Sequence, residues 1–139
     1  MTSEQIELVQ NSFEKIRPVA DEVARLFYGR LFEVDPSLRP LFRGDMEEQG
    51  RKLMQMIAFA VASLRRLEEI LPAVEDLGRR HGGYGVRDEH YAVVGSSLLW
   101  TLETGLGEAF TPEVNAAWAA MYGVVAETMC KGASMAASA

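Results

Sequence analysis

Apolar residues recur at three- and four-residue steps along the whole chain, and no stretch alternates apolar with polar. That period belongs to amphipathic helices. Ile6, Val9, Phe13 and Ile16 line one face of a first helix, for which Thr2 or Ser3 is the N-cap. Pro18 breaks it, and Val23, Leu26, Phe27 and Leu31 mark a second helix. The stretch DPSLRPLF puts Pro36 in the first turn of a short helix capped by Asp35, and Pro40 and Phe42 end that piece. A long helix is predicted from about Met46 to Leu64, with Leu53, Ile57, Ala60, Val61 and Leu64 on its apolar side. Pro72 is expected to start another short helix that stops at HGGYG, where three glycines oppose continuation. Asp88 is the expected cap of the next helix, with Val94, Leu98 and Leu102 inside. Thr111, followed by Pro112 at the first helical position, opens the last one through Trp118, Met121, Val125 and Met129. The expected class is all-α, with about seven helices.

Composition narrows the function classes. The 139 residues fit one domain, expected at 1–131, with a disordered tail at 132–139 over the small-residue run GASMAASA. Charged residues are 24% and apolar residues 48%, the profile of a soluble globular chain. A net charge of −6 argues against nucleic-acid binding. The single cysteine, Cys130, excludes an internal disulfide and suits a reducing, cytoplasmic setting. The start, MTSEQIELVQ, has no apolar signal core, and no apolar run approaches the ~18 residues that span a membrane.

Candidate chemistry sits at few positions. Both histidines, His81 and His90, fall in GRRHGGYGVRDEHY. His81 ends a helix one turn after Leu77, at the core's edge, where a neutral ring nitrogen can meet a metal. Tyr28, beside Phe27, needs a hydrogen-bond partner if buried. Gln49 and Leu53 lie four apart on one helical face, flanked by Lys52. Each of these alone reads as an ordinary core-edge or solvated residue. Together, with Phe42 as a flat apolar wedge, they describe a pocket with one basic ligand and two hydrogen-bond donors. That set suits a planar iron cofactor held by one histidine.

From about Glu4 to Met129 the chain resembles a globin, and most of all the globin domain of flavohaemoglobins and related single-domain bacterial globins. LFYGRLFEVDPSLRPLF is similar to the family's second and third helices, EEQGRKLMQMI to its distal helix, LPAVEDLGRRHGGYGVRDEHYAVVG to its proximal region and AWAAMYGVVAE to its last helix. The resemblance implies a globin fold around haem, with His81 as the iron ligand. Phe42 would pack on the haem, while Tyr28 and Gln49 would face the bound gas, with Leu53 one turn on. It puts Tyr91 near the proximal histidine, and Leu53, Ile57, Leu77, Val86 and Val94 in the apolar lining. Lys52, Arg51 and Arg80 are candidates for the haem propionates. His90 reads as a solvated residue at the next helix start. Ala133 stands where the flavohaemoglobin pattern has a glutamate behind the proximal histidine. No Cys-x-x-Cys-His occurs, so haem b, held non-covalently, is expected.

The implied function is high-affinity dioxygen binding through the Tyr28 and Gln49 donors, for storage, scavenging or delivery, with carbon monoxide gaining less from them. No catalytic residue is singled out. One alternative is nitric oxide oxidation, dependent on a separate reductase because the sequence carries no flavin or nicotinamide domain. A haem-free helical interaction module is disfavoured by the coincidence of His81, Phe42, Gln49 and Tyr28.

Overall fold

The first helix begins where the sequence caps it. The Thr2 side chain accepts from the Gln5 backbone N–H at 3.1 Å, and the Gln5 side chain accepts from the Thr2 N–H at 3.1 Å. This reciprocal pair satisfies two donors that a helix start leaves open. The computed structural model describes residues 1–42, 44–83 and 88–138. The helices are α1 (Ser3–Ile16), α2 (Ala20–Val34), α3 (Met46–Ala62), α4 (Leu67–Gly83), α5 (Asp88–Leu106) and α6 (Pro112–Ser138). Short 3-10 turns occur at Arg17–Val19, Pro36–Leu41, Leu64–Arg66 and Gly107–Ala109. Among the described residues there is no strand, and no helix is long and apolar enough to cross a membrane.

Local chemistry explains most boundaries. Asp35 accepts from the Ser37 N–H at 3.1 Å and so caps the Pro36–Leu41 turn. Asp45 does the same for α3 through the Glu47 N–H at 2.9 Å. Thr111 accepts from the Val114 N–H at 3.2 Å, with Pro112 opening α6. Helix α6 continues through Gly132, which is buried, to Ser138.

Helix α4 corrects one expectation. Pro72 does not start it; the helix begins at Leu67 and carries Pro72 inside. Proline there forfeits a backbone bond and costs about 3 kcal/mol. The preceding turn brings in Ile70, which is buried together with Val74 against Met129, with Leu67 packed alongside. Burying Ile70 contributes ~1.5–3 kcal/mol and the partly buried Leu67 adds to it, which offsets most or all of the cost of the proline.

The core lies in two clusters. The larger joins Val9, Phe13 and Ile16 of α1 with Phe27 and Leu31 of α2, Leu102 of α5 and Trp118 of α6. Trp118 is fully buried, and its indole N–H donates to the Ser12 hydroxyl at 2.8 Å. That bond satisfies a donor whose burial would otherwise cost ~1–3 kcal/mol. The smaller cluster holds Ile70, Val74 and Met129, with Leu77, Tyr91 and Val125 packed against it. Among the described residues, helix α4 rests on α6 and has no comparable contact with α2, α3 or α5. Two glycines allow this close approach. A Cβ on Gly78 would meet the Met129 backbone, and one on Gly132 the Glu75 carbonyl.

Candidate functional site

Helices α2 and α3 cross at two small residues. A Cβ added to Gly50 would lie 2.9 Å from the Ala24 Cβ, so only glycine allows the backbones this close. One turn beyond Ala24, the crossing carries Tyr28 against α3. Its hydroxyl donates to the backbone carbonyl of Gln49 at 3.4 Å, a long bond for a phenol. Three rings fix the tyrosine. Phe27 and Phe42 meet it edge-on, with centroids at 5.1 and 5.3 Å, and Phe32 stacks on it at 5.9 Å. Phe42 also meets Phe32 edge-on at 5.4 Å. It is placed by the end of the Pro36–Leu41 turn, where its N–H donates to the Arg39 carbonyl at 3.1 Å. Burial pushes the Tyr28 pKa up to about 12, so the hydroxyl keeps its proton through the neutral range. Gln49, Leu53 and Ile57 are half-buried along α3, and Leu53 and Ile57 pack on the larger cluster together with Val94 of α5.

A second group of candidate residues is built on α4. His81 lies in its last turns, half-buried. Its Nδ1 lies 2.8 Å from the Leu77 carbonyl, one turn earlier. A carbonyl only accepts, so Nδ1 is the donor, and in the neutral ring Nε2 is then the lone-pair nitrogen. This is the tautomer and ring anchoring that a metal-ligating histidine needs. Leu77 and Tyr91 both pack on the smaller cluster. The Tyr91 carbonyl accepts from the Tyr122 hydroxyl at 2.5 Å. The Tyr122 ring lies directly over Gly95, where a Cβ would come within 2.7 Å of it. Burial raises the Tyr122 pKa above its ordinary value, with smaller contributions from Tyr91 and Cys130. Helix α6 therefore clamps the start of α5, the turn that bears Tyr91.

The expected site residues fall into two separate packing groups. Tyr28, Phe42, Leu53, Ile57 and Val94 belong to the larger cluster, with Gln49 beside Tyr28. His81, Leu77 and Tyr91 belong with α4 and the smaller cluster. Val86 lies outside the described residues, as does the side chain of Ala133. The candidate cations are exposed: Lys52 pairs with Glu48 on its own helix at 3.8 Å, and Arg80 with Asp76 at 3.4 Å. Arg51 is exposed on α3. His90 is half-buried, not fully solvated as expected. Sequence reasoning missed the Ala24–Gly50 crossing, the Phe32 stack and the Tyr122 clamp. Glycines inside helices were the available signal, since they mark close backbone approach.

Residues 25–129 match the family described as Globin. The chain is 34% identical over 125 residues to a flavohemoprotein of Bordetella parapertussis, covering 88% of this chain and 31% of that protein. It is 32% identical over 146 residues to neuroglobin of Tetraodon nigroviridis, covering 95% and 92% of the two. In three dimensions it is similar to a bacterial globin from Campylobacter jejuni, with a TM-score of 0.85 at 24% identity, covering 99% of this chain and 100% of that one. The chain thus spans 31% of the length of the flavohemoproteins that it matches.

Proposed function

This chain belongs to the globin family, and from that premise we propose that it holds haem on His81 and binds dioxygen reversibly, with Tyr28 and Gln49 as hydrogen-bond donors to the gas. The residues fit the cofactor. The Nδ1–H to Leu77 bond holds the ring in one orientation and favours the tautomer in which Nε2 can act as ligand. Haem supplies a ferrous centre with affinity for diatomic gases. Everything else is the work of side chains. Phe42, Leu53, Ile57, Leu77 and Val94 exclude water. Lys52 and Arg80 are the cations offered to the propionates. The chain has one cysteine, so a covalent link through two has no basis and the haem is of the b type.

The observation that carries dioxygen binding is Tyr28. It is a buried phenol that stays protonated, held by three rings and, among the described residues, spent only on a long bond to a carbonyl. A donor so placed can turn to a ligand that draws negative charge, and the bond it makes there is charge-assisted. Stopped-flow on the ferrous protein, first with dioxygen and then with nitric oxide, tests this function. A five-coordinate ferrous spectrum and slow dioxygen release are expected. Failure to take up haem would overturn the proposal and leave a helical interaction module.

The same donor pair, with the likeness to flavohemoproteins, supports a second function, oxidation of nitric oxide. It predicts fast consumption of nitric oxide by the oxygenated protein and turnover only with an added reductase. Ala133, in place of a glutamate behind the histidine, removes a source of ligand basicity and favours binding over this chemistry.

A further inference from the structure

On another face of the Ala24–Gly50 crossing, α2, the Pro36–Leu41 turn and α3 enclose a half-open groove of about 400 Å³. His81, Gln49 and Leu53 do not line it. Its floor is the stacked pair of Tyr28 and Phe32, with Met46 and Gly50 beside them. Its rim carries three guanidiniums, Arg25, Arg39 and Arg51, against the carboxylates of Asp21 and Glu47. On a chain of net charge −6 this is a local positive excess. Two of the three cations have little else to do. Arg51 has no ion-pair partner among the described residues, while the neighbouring Lys52 takes Glu48. Among the described residues Arg25 reaches only Glu22, at 3.9 Å, with both side chains exposed. Arg39 lies 5.1 Å above the Phe32 ring, its guanidinium at the groove's edge.

We propose that this groove binds an organic anion with a flat apolar body, an aromatic monocarboxylate. The volume lies within the range of small-molecule pockets, about 300–1,000 Å³. The ring would lie on the Tyr28 and Phe32 floor, and the carboxylate would take paired N–H bonds from Arg51 or Arg39, whose planar forks match it. A neutral ring would leave the guanidiniums unused, and inorganic phosphate would waste the aromatic floor. Gly29 supplies a further sign. It lines the groove inside α2, and a Cβ there would meet nothing within 4 Å. Glycine weakens a helix interior, and here the absent side chain leaves the groove open. The site does not depend on the haem assignment, although its floor shares Tyr28 with the gas-facing wall.

The test uses the protein as purified, with added haem and without it, with naphthalene-2-carboxylate as probe and naphthalene-2-methanol as its neutral counterpart, both followed by fluorescence in equilibrium dialysis. One-to-one binding of the carboxylate, at least about tenfold tighter than the alcohol, is expected. Gly29→Leu fills the groove with a good helix former. It should weaken binding by about tenfold or more without lowering the melting temperature. Arg39→Gln and Arg51→Gln should each weaken it by roughly three- to tenfold. No saturable binding up to about 5 mM would overturn the proposal. So would equal binding of the alcohol, binding untouched by Gly29→Leu, or binding found only without haem, which would place the probe in the cofactor's space.

Discussion

Replacing Tyr28 by phenylalanine removes one oxygen and leaves a ring of nearly the same shape among Phe27, Phe32 and Phe42. The packing should therefore hold. What is lost is a donor. A hydrogen bond to a group carrying charge contributes ~1.5–3 kcal/mol. To make it, the hydroxyl must leave the Gln49 carbonyl, and at 3.4 Å that bond is worth about 0.5 kcal/mol or less. The net loss is then about 1–2.5 kcal/mol, or roughly 5- to 70-fold faster dioxygen release at 1.36 kcal/mol per decade. Carbon monoxide is less polar when bound and should change by less than about threefold. Gln49→Leu should have the smaller effect on dioxygen, because its amide has more torsions to freeze than a phenol held by three rings. Stopped-flow and flash photolysis on both variants measure these rates. Equal acceleration of both gases would mean that Tyr28 acts as a steric gate. No acceleration would mean that the hydroxyl never reaches the gas, and the donor argument would fail.

His81→Ala should abolish stable haem uptake, with partial recovery in added imidazole; a variant that keeps a five-coordinate ferrous spectrum would exclude His81 as ligand. Gly78→Ala should lower stability by about 1–3 kcal/mol, because its methyl would meet the Met129 backbone and push α4 from α6. Gly29→Ala, with open space around its Cβ, should instead raise stability by about 0.5–1 kcal/mol, and urea melts that rank the two variants the other way would contradict the packing described for both. The pKa values of Tyr28 and Tyr122 are raised in the folded chain, so both phenols hold their protons longer there than in the unfolded chain. Stability should be full below pH 10, the ordinary tyrosine value, and fall as pH rises toward 12; Tyr28→Phe should flatten that fall, and urea midpoints that are level across the range would refute the assigned burial.

Much of the fold was legible because its signals are local. The Asp35–Pro36 and Thr111–Pro112 starts, and the Val9, Phe13 and Ile16 stripe, depend on residues a few positions apart. Pro72 misled because its cost is local and its compensation is not: Ile70 and Val74 gain from Met129, nearly sixty residues away. The site divides the same way. His81 and its Leu77 carbonyl are one turn apart, and the family spacing of Tyr28, Phe42 and Gln49 could be read directly. The bond from Tyr28 to the Gln49 backbone could not be, nor the reach of Tyr122 to the Tyr91 carbonyl, since no periodicity says which carbonyl a distant phenol will meet. The groove beside Tyr28 needed the crossing angle of α2 and α3, which Gly50 and Ala24 set only once they touch.

The bond from Trp118 to Ser12 joins residues 106 positions apart. During synthesis α1 emerges long before its partner. At ~5–20 residues per second, roughly 5–20 s pass between the two. Through that interval Val9, Phe13 and Ile16 lack the indole and the α6 face that later cover them. The larger cluster therefore cannot close progressively from the N-terminus. It closes late, as one event, after loop closure over most of the chain. A nascent chain halted before Trp118 should expose an aggregation-prone stripe and depend on a holding chaperone, and one released past α6 should not.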